Sequence, residues 1–380
     1  MLLLSCTIIS LLLISSFFFL FRPYKIQNVD VKLKFDEKSA NNAYDIIDDQ
    51  LDIGYRIPGE EESEECIEYF ISKFRDINSD FTYKIQNFSV EGVDCQNLLF
   101  KLNEKKENIV ILASHFDSRA KATKDDSNSN DPVPGANDGA SSCAILIELA
   151  KIFYNRRNDL DCQIWFLFFD AEDQGRDEGG YGIDGWGWCE GSTEFVDDLD
   201  SFYDSEEEDF DCMILLDMVG GNGLQFIKEE QSTSSLLDEI FEIGRQLGFY
   251  REFPLLPISS SVFDDHVAFL EEDIPSADLI INFWSNPEWP HHHTTEDDLS
   301  HISRKSLEIT GKTVEQFIYN NYYDKINDNY QGNYPWKEDS SYPDSGIILI
   351  FISLIAVVIV IPIIYYFRYY RNKKKEVVKT

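Results

Sequence analysis

Basic residues are scarce in this 380-residue chain: 33 Lys and Arg stand against 69 Asp and Glu, a net charge of −36. Nucleic acid is excluded as a partner, because its phosphates need Lys and Arg. The imbalance suits a solvated, self-repelling surface. Cysteine is sparse as well: seven residues and no Cys-x-x-Cys pair, which rules out a cysteine-rich zinc module. No Gly-Lys-Ser/Thr occurs in the glycine-rich stretch 179–191, so it is not a phosphate cradle and reads instead as a pocket lid. No internal repeat is visible. Histidine occurs only six times, yet three of the six are consecutive, at His291, His292 and His293.

Apolar residues are not lacking. A hydrophobic content of 43% with 14% aromatics fills the core of one large domain or two small ones. Two uncharged runs stand apart from that core. "GIILIFISLIAVVIVIPIIYYF", residues 346–367, spans about 33 Å as a helix, enough to cross a hydrocarbon layer of about 30 Å. The tail 368–380 carries six basic groups and one acid, a net of +5 within the total of −36, which leaves −41 for the rest. Basic residues beside a span place the tail in the cytoplasm and the acidic body outside the cell or in a lumen. "LLLSCTIISLLLISSFFFLF", residues 2–21, is either a second anchor or a secretory signal. Without a charged leader or a small-residue cleavage site, the anchor is favoured. Residues 22–35 then read as a linker, 36–323 as the domain and 324–345 as a polar stalk. Six of the cysteines fall in the exported body, where some can pair, and their spacing leaves the pairing open.

Within the body, strand-like and helical segments alternate. "NIVILASH", "CQIWFLFFD", "DCMILLDMV" and "SADLIINF" are short apolar runs of the kind found in strands covered on both faces. "ASSCAILIELAKIFYNRR", "SSLLDEIFEIGRQLG" and "SRKSLEITGKTVEQFIYNNYY" have helical spacing. The pattern predicts an α/β domain of three layers around a mostly parallel, mixed sheet.

Several of these strands stop at an ionisable residue: His115, the pair Glu172 and Asp173, and Asp217. Asp138 lies in the loop "PGANDGAS", and His293 follows "SADLIINF". Ligand sites of open α/β sheets lie beyond the carboxyl ends of the strands. Two imidazoles and four carboxylates on one rim repel one another unless a cation compensates. His and carboxylate donors without thiolate fit zinc best, with manganese or cobalt as alternatives. One bridging carboxylate, plus a His and an acid on each side, suffices for two ions and leaves one acid for proton transfer.

The order H-x-D, G-x-x-D-x-A-S, D-x-E-[ED], L-D-M-x-G and H-T-x-x-D resembles the co-catalytic zinc aminopeptidases of metallopeptidase family twenty-eight and their glutaminyl-peptide cyclotransferase relatives. The likeness covers roughly residues 40–322, and "YRIPG" is similar to the turn that opens those domains. It implies a zinc exopeptidase-like fold acting on peptide or protein N-termini. His115 and Asp217 would hold one zinc, Asp173 and His293 the other, with Asp138 bridging. Glu172 would be the general base, and Asp117 would orient His115. His292 takes a place where the family often has Trp or Tyr, and would line the pocket mouth. Glu296, Asp297 and Asp298 are expected to lead into the last helix as first-turn acids.

Two activities fit this frame. An aminopeptidase uses two zincs to attack the first peptide bond with water; a cyclase uses one zinc to polarise the γ-amide of an N-terminal Gln while an acid moves the proton. The complete ligand set favours the peptidase. Asp264 in "FDDH" and the stretch "GWGWCEGSTEF", whose Trp186 and Trp188 would wall a pocket, resemble the cyclases. A receptor-like ectodomain without catalysis is a third reading, disfavoured by the intact donors.

Overall fold

Two helices precede the first strand in the computed structural model, which describes residues 28–79 and 81–323 together with Tyr366, Arg368 and Arg371. Asp36 caps α1 (Glu37–Ile53), its carboxylate accepting from the amides of Lys38 and Ser39. Beyond the Pro58–Gly59 turn, α2 (Glu61–Ile77) opens with acids in its first turn, which complement the helix dipole. There follow β1 (Thr82–Val90), β2 (Val93–Leu102), β3 (Asn108–His115), α3 (Ser142–Arg156), β4 (Gln163–Phe169), α4 (Glu190–Asp197) and β5 (Asp209–Asp217). After these come β6 (Lys228–Glu229), α5 (Ser234–Gln246), β7 (Ser259–Ser260), α6 (His266–Glu271), β8 (Ser276–Ile280) and α7 (Arg304–Tyr322).

The main sheet has the order β1-β2-β4-β3-β5-β8. β4, β3, β5 and β8 are parallel, while β1 and β2 add antiparallel pairings at one edge, so the sheet is mixed as expected. Both faces are covered. Ile109, Ile111, Trp165 and Leu167 pack with Phe195 of α4 and Phe269 of α6. On the other face Phe166 and Phe168 meet Phe74 and Phe70 of α2. Side chains alternate along a strand, so burial on both sides is the physical reason these strands read as unbroken apolar runs.

Two expectations change. Residues 28–35 of the predicted linker belong to the domain: Phe35 is fully buried, and the Lys34 and Phe35 amides donate to Glu315 on α7 at 2.7–2.9 Å. The cysteines at 66, 95, 143, 162, 189 and 212 are all buried, and no disulfide joins them among the described residues. Among those residues no helix is long and apolar enough to cross a membrane. The apolar segment 2–21, the stalk 324–345, the run 346–367 apart from Tyr366, and the tail apart from Arg368 and Arg371 lie outside them.

The seam between α5 and α7 carries a titrating group. Glu239 is buried there, with Asn321 Nδ2 donating to its Oε1 at 2.9 Å, and burial pushes its carboxyl up to about 7 from the usual 4.5. Between those values the folded chain holds a proton that the unfolded chain has lost. Stability therefore falls as pH rises from about 4.5 to about 7, and then levels off. Glu239→Gln removes this dependence. In urea denaturation the variant is expected to match the parent near pH 5 and to exceed it at pH 8 by up to about 2–3 kcal/mol; equal midpoints at pH 8 contradict this assignment.

Candidate active site

Parallel pairing gathers the donors. β3 and β5 are neighbours whose last pairing is Ala113 with Leu215, so His115 and Asp217, each two residues on, emerge side by side at one rim. His115 Nε2 lies 3.2 Å from Asp217 Oδ1 and 3.1 Å from Asp138 Oδ1. Asp138 is delivered by the turn Ala136–Ser141, which runs into α3. Gly139 must be glycine here, because a Cβ at that position would come within 2.3 Å of the His115 carbonyl oxygen. Arg56 of "YRIPG" fastens the two loops together, donating to the carbonyls of Phe116, Pro134 and Gly135.

Asp173 and His293 meet beside this group. His293 Nε2 is 3.0 Å from Asp173 Oδ1, and its other nitrogen, Nδ1, is 2.6 Å from Asp177 Oδ2. The backbone at His293 is left-handed, with φ of 58°. Trp188 stacks on its ring at 5.7 Å and 16°, as a pocket wall does. Asp117 Oδ1 lies 3.3 Å from His115 Nδ1, and its carboxylate accepts from the amides of Glu172 and Asp173 and from Gln174 Nε2.

Donor atoms of His115, Asp138 and Asp217 lie within 4.8 Å of one another, and so do those of Asp138, His292 and His293. The groups share Asp138. Asp138 Oδ2 and Asp173 Oδ2 are buried and have no hydrogen-bond partner among the described residues. Buried carboxylate oxygens are rarely left so, and a bound cation is a partner that would satisfy them. Imidazole with carboxylate is the donor set of zinc and its neighbours in the periodic table. With protons alone to neutralise the site, burial drives Asp217 up to about 6, and the adjacent Asp138 and Asp173 add to the rise while His115 opposes it. Burial opposes the protonation of His115, but hydrogen bonds to Asp117, Asp138 and Asp217 raise its pKa well above 6.5.

Glu172 lies beside these donors: its Oε2 is 4.0 Å from His115 Nδ1, the ring nitrogen opposite the one that meets Asp138 and Asp217. Its Oε1 accepts from Cys189 Sγ at 3.3 Å, and donor atoms of Glu172, Cys189 and Asp264 fall within 4.8 Å of one another. Burial raises Glu172 well above the usual carboxylate range, against the pull of His115 and with the help of Asp264 and Asp173. Burial, reinforced by Asp217, likewise pushes Asp264 up to about 7.

The structure thus brings together His115, Asp117, Asp138, Glu172, Asp173, Asp217, Asp264, His292, His293 and Trp188. It does not bring in Trp186, which is 4% exposed and packs against Val90, Cys95 and Ala171 beneath the lid: a core residue, not a pocket wall. Nor are the acids after His293 the first turn of the last helix. Ser303 caps α7, and Asp297 is fully buried, accepting from the amides of Asn137 and Asp138 at 2.9 and 3.1 Å. Asp297 therefore holds the Asp138 turn in place. Three further residues escaped the sequence reading. Arg119 is fully buried, donates to the Asp173 carbonyl and carboxylate, and lies 4.9 Å from the Trp188 ring. Asp177 buttresses His293, and Cys189 holds Glu172. For Arg119 a signal existed, four residues beyond His115 in "HFDSR".

Comparison with known proteins gives this geometry a lineage. The model of peptidase family M28 matches residues 97–318. The chain is 28% identical to the aminopeptidase YwaD of Bacillus subtilis over 225 residues, which is 57% of this chain but only 42% of that relative's length. It is similar to the structure of Bacteroides thetaiotaomicron glutaminyl cyclase bound to N-acetylhistamine, with a TM-score of 0.66, 27% identity, and coverage of 76% of this chain and 99% of that one. It is equally similar to a Zn-dependent exopeptidase from Parabacteroides distasonis, with a TM-score of 0.66, 26% identity, and coverage of 76% and 100%. Fold, strand-end donors and family match agree: the chain belongs to peptidase family M28.

Proposed function

We propose that this chain is a membrane-anchored, zinc-dependent enzyme of peptide N-termini, and that its reaction is cyclisation of N-terminal Gln with release of ammonia. Anchoring rests on the runs 2–21 and 346–367 and on the basic tail, which put the catalytic domain outside the cell or in a lumen. Asp138, Asp173 and His293 would hold the zinc common to both readings, and in the aminopeptidase reading His115 with Asp217 would hold a second ion that shares Asp138. Bound there, the metal supplies Lewis acidity toward the substrate carbonyl.

The observation that carries the cyclase reading is the pairing of Glu172 with Asp264. Cyclisation consumes no water: the proton lost by the attacking α-amine ends on the departing amide nitrogen. Glu172 takes that proton and returns it. Asp264, buried beside it, favours the protonated form of Glu172 during the transfer, because two neighbouring buried carboxyls resist being ionised together. Cys189 keeps Oε1 of Glu172 directed toward Asp264. The aminopeptidase remains a second reading on one specific observation, the two donor groups sharing Asp138, which is the arrangement a two-ion hydrolase needs.

Ammonia release from Gln-peptides, set against release of free amino acid from fluorogenic aminoacyl substrates, decides between them. The cyclase reading requires ammonia and a product without a free α-amine. Amino acid release alone transfers the assignment to the aminopeptidase. In either case Asp177→Asn loosens the orientation of His293, and zinc affinity is expected to fall about 10–100-fold in chelator competition; unchanged affinity removes Asp177 from that role.

A further inference from the structure

An aromatic run leads outward from His293. Its ring centroid lies 3.6 Å from that of His292, which lies 4.3 Å from Phe283, which stacks on Trp284 at 3.9 Å. Each step is about the length of one residue in an extended chain. Burial falls along the same path: His293 is buried, His292 and Phe283 are half-buried, and Trp284 is 53% exposed. Large aromatic rings that present an accessible face carry much of the energy where peptides and proteins are bound. The run is also held in shape. Asn282 bonds Ser285 through both ends of its amide, tying the turn that bears Phe283 and Trp284. Lys124 Nζ donates to His292 Nδ1 at 2.8 Å and lies 5.9 Å from the Phe283 centroid, which fixes the tilt of the imidazole and sets a cation at the edge of the run.

We propose that His292, Phe283 and Trp284, edged by Lys124, receive the residues that follow the reacting N-terminal residue and select peptides with a large aromatic side chain in the second or third position. The inference rests on the proposed function for one point, that the N-terminal residue reacts at the donors around His293. From there a peptide extending toward solvent lies along the rings, and an aromatic side chain stacks where a glycine leaves them wet. Burying the outer indole face, more than half open in the free protein, supplies the selectivity.

The test measures kcat/KM of the full chain in detergent on matched amides, Gln-Phe-Ala with Gln-Gly-Ala and Leu-Phe-Ala with Leu-Gly-Ala, so that the preference is read whichever chemistry operates. Phe is expected to exceed Gly by about 10-fold, chiefly through KM. Trp284→Ala and Phe283→Ala are expected to shrink that ratio to about 2-fold, and Trp284→Phe to restore most of it. A ratio that is the same in the parent and in Trp284→Ala overturns the proposal. Turnover of the Leu series alone defeats the cyclase reading and leaves this one standing if the ratio still depends on Trp284. Should neither series turn over, calorimetric binding of the Phe and Gly amides reads the same preference. Equal affinities in the parent, or a Phe preference that survives Trp284→Ala, overturn the proposal.

Discussion

Asp138→Asn is expected to lower kcat/KM by about 10³-fold or more and to remove bound metal, with the domain still folded. Asp138 is the residue common to the donor groups around His115 and around His293, and its Oδ2 is buried without a hydrogen-bond partner among the described residues. Asparagine keeps the shape but removes the charge, and it places either an amide N–H₂ or a weaker carbonyl donor where a cation belongs. A loss of several kcal/mol of charge stabilisation corresponds to a rate effect of that order. Fold integrity is expected to survive, because the turn is held by backbone groups. The Asn137 and Asp138 amides donate to Asp297, and Arg56 grips the carbonyls of Pro134 and Gly135. Metal content and kcat/KM of the purified variant, with circular dichroism as the check on folding, read the prediction. Full metal occupancy with near-parental turnover contradicts it.

Glu172→Gln is expected to reduce kcat by about 10²–10⁴-fold, with KM within a few-fold of the parent and zinc retained. The side chain is buried and held by Cys189 beside Asp264, and its nearest approach to His115 is 4.0 Å, to Nδ1 and not to the nitrogen that meets Asp138 and Asp217. Its removal therefore takes away proton transfer without taking away a ligand. The contrast with Asp138→Asn is diagnostic: one variant loses metal and rate together, the other loses rate alone. Parallel loss of zinc from Glu172→Gln would place this carboxylate among the ligands and reject the role given to it.

Legibility in the sequence followed the chemistry of each position. β3, β4 and β5 were visible because burial on both faces forces unbroken apolar runs, and the ionisable residue that ends each run marks the rim of the sheet. His115 and Asp217 could be read from that rule alone; for β4 the rule points to Asp170, and the Glu172–Asp173 pair lies two and three residues beyond it. Residues that act on the site through long-range hydrogen bonds could not. Asp297 sits amid "TTEDD", where sequence offers only the local explanation of a helix-leading acid; its real partners, the Asn137 and Asp138 amides, are about 160 residues away. Trp186 and Trp188 show the same limit from another side. They are two residues apart in one glycine-rich loop with no periodic pattern, yet one is packed beneath the loop and the other faces His293. Arg119 was obscured by its neighbours: next to Lys121 and Lys124 in a chain this acidic, it reads as surface, whereas here it is fully buried and paired with Asp173.

Anomalous diffraction at the zinc edge, from crystals of the purified full chain, bears most directly on the whole account. A peak is expected within about 2.0–2.2 Å of Nε2 of His293 and of carboxylate oxygens of Asp138 and Asp173, with any second peak between His115 and Asp217. An empty rim in zinc-replete protein, with those carboxyls sharing protons instead, would mean that the crowded acids are tolerated without a cation and that the catalytic reading is wrong.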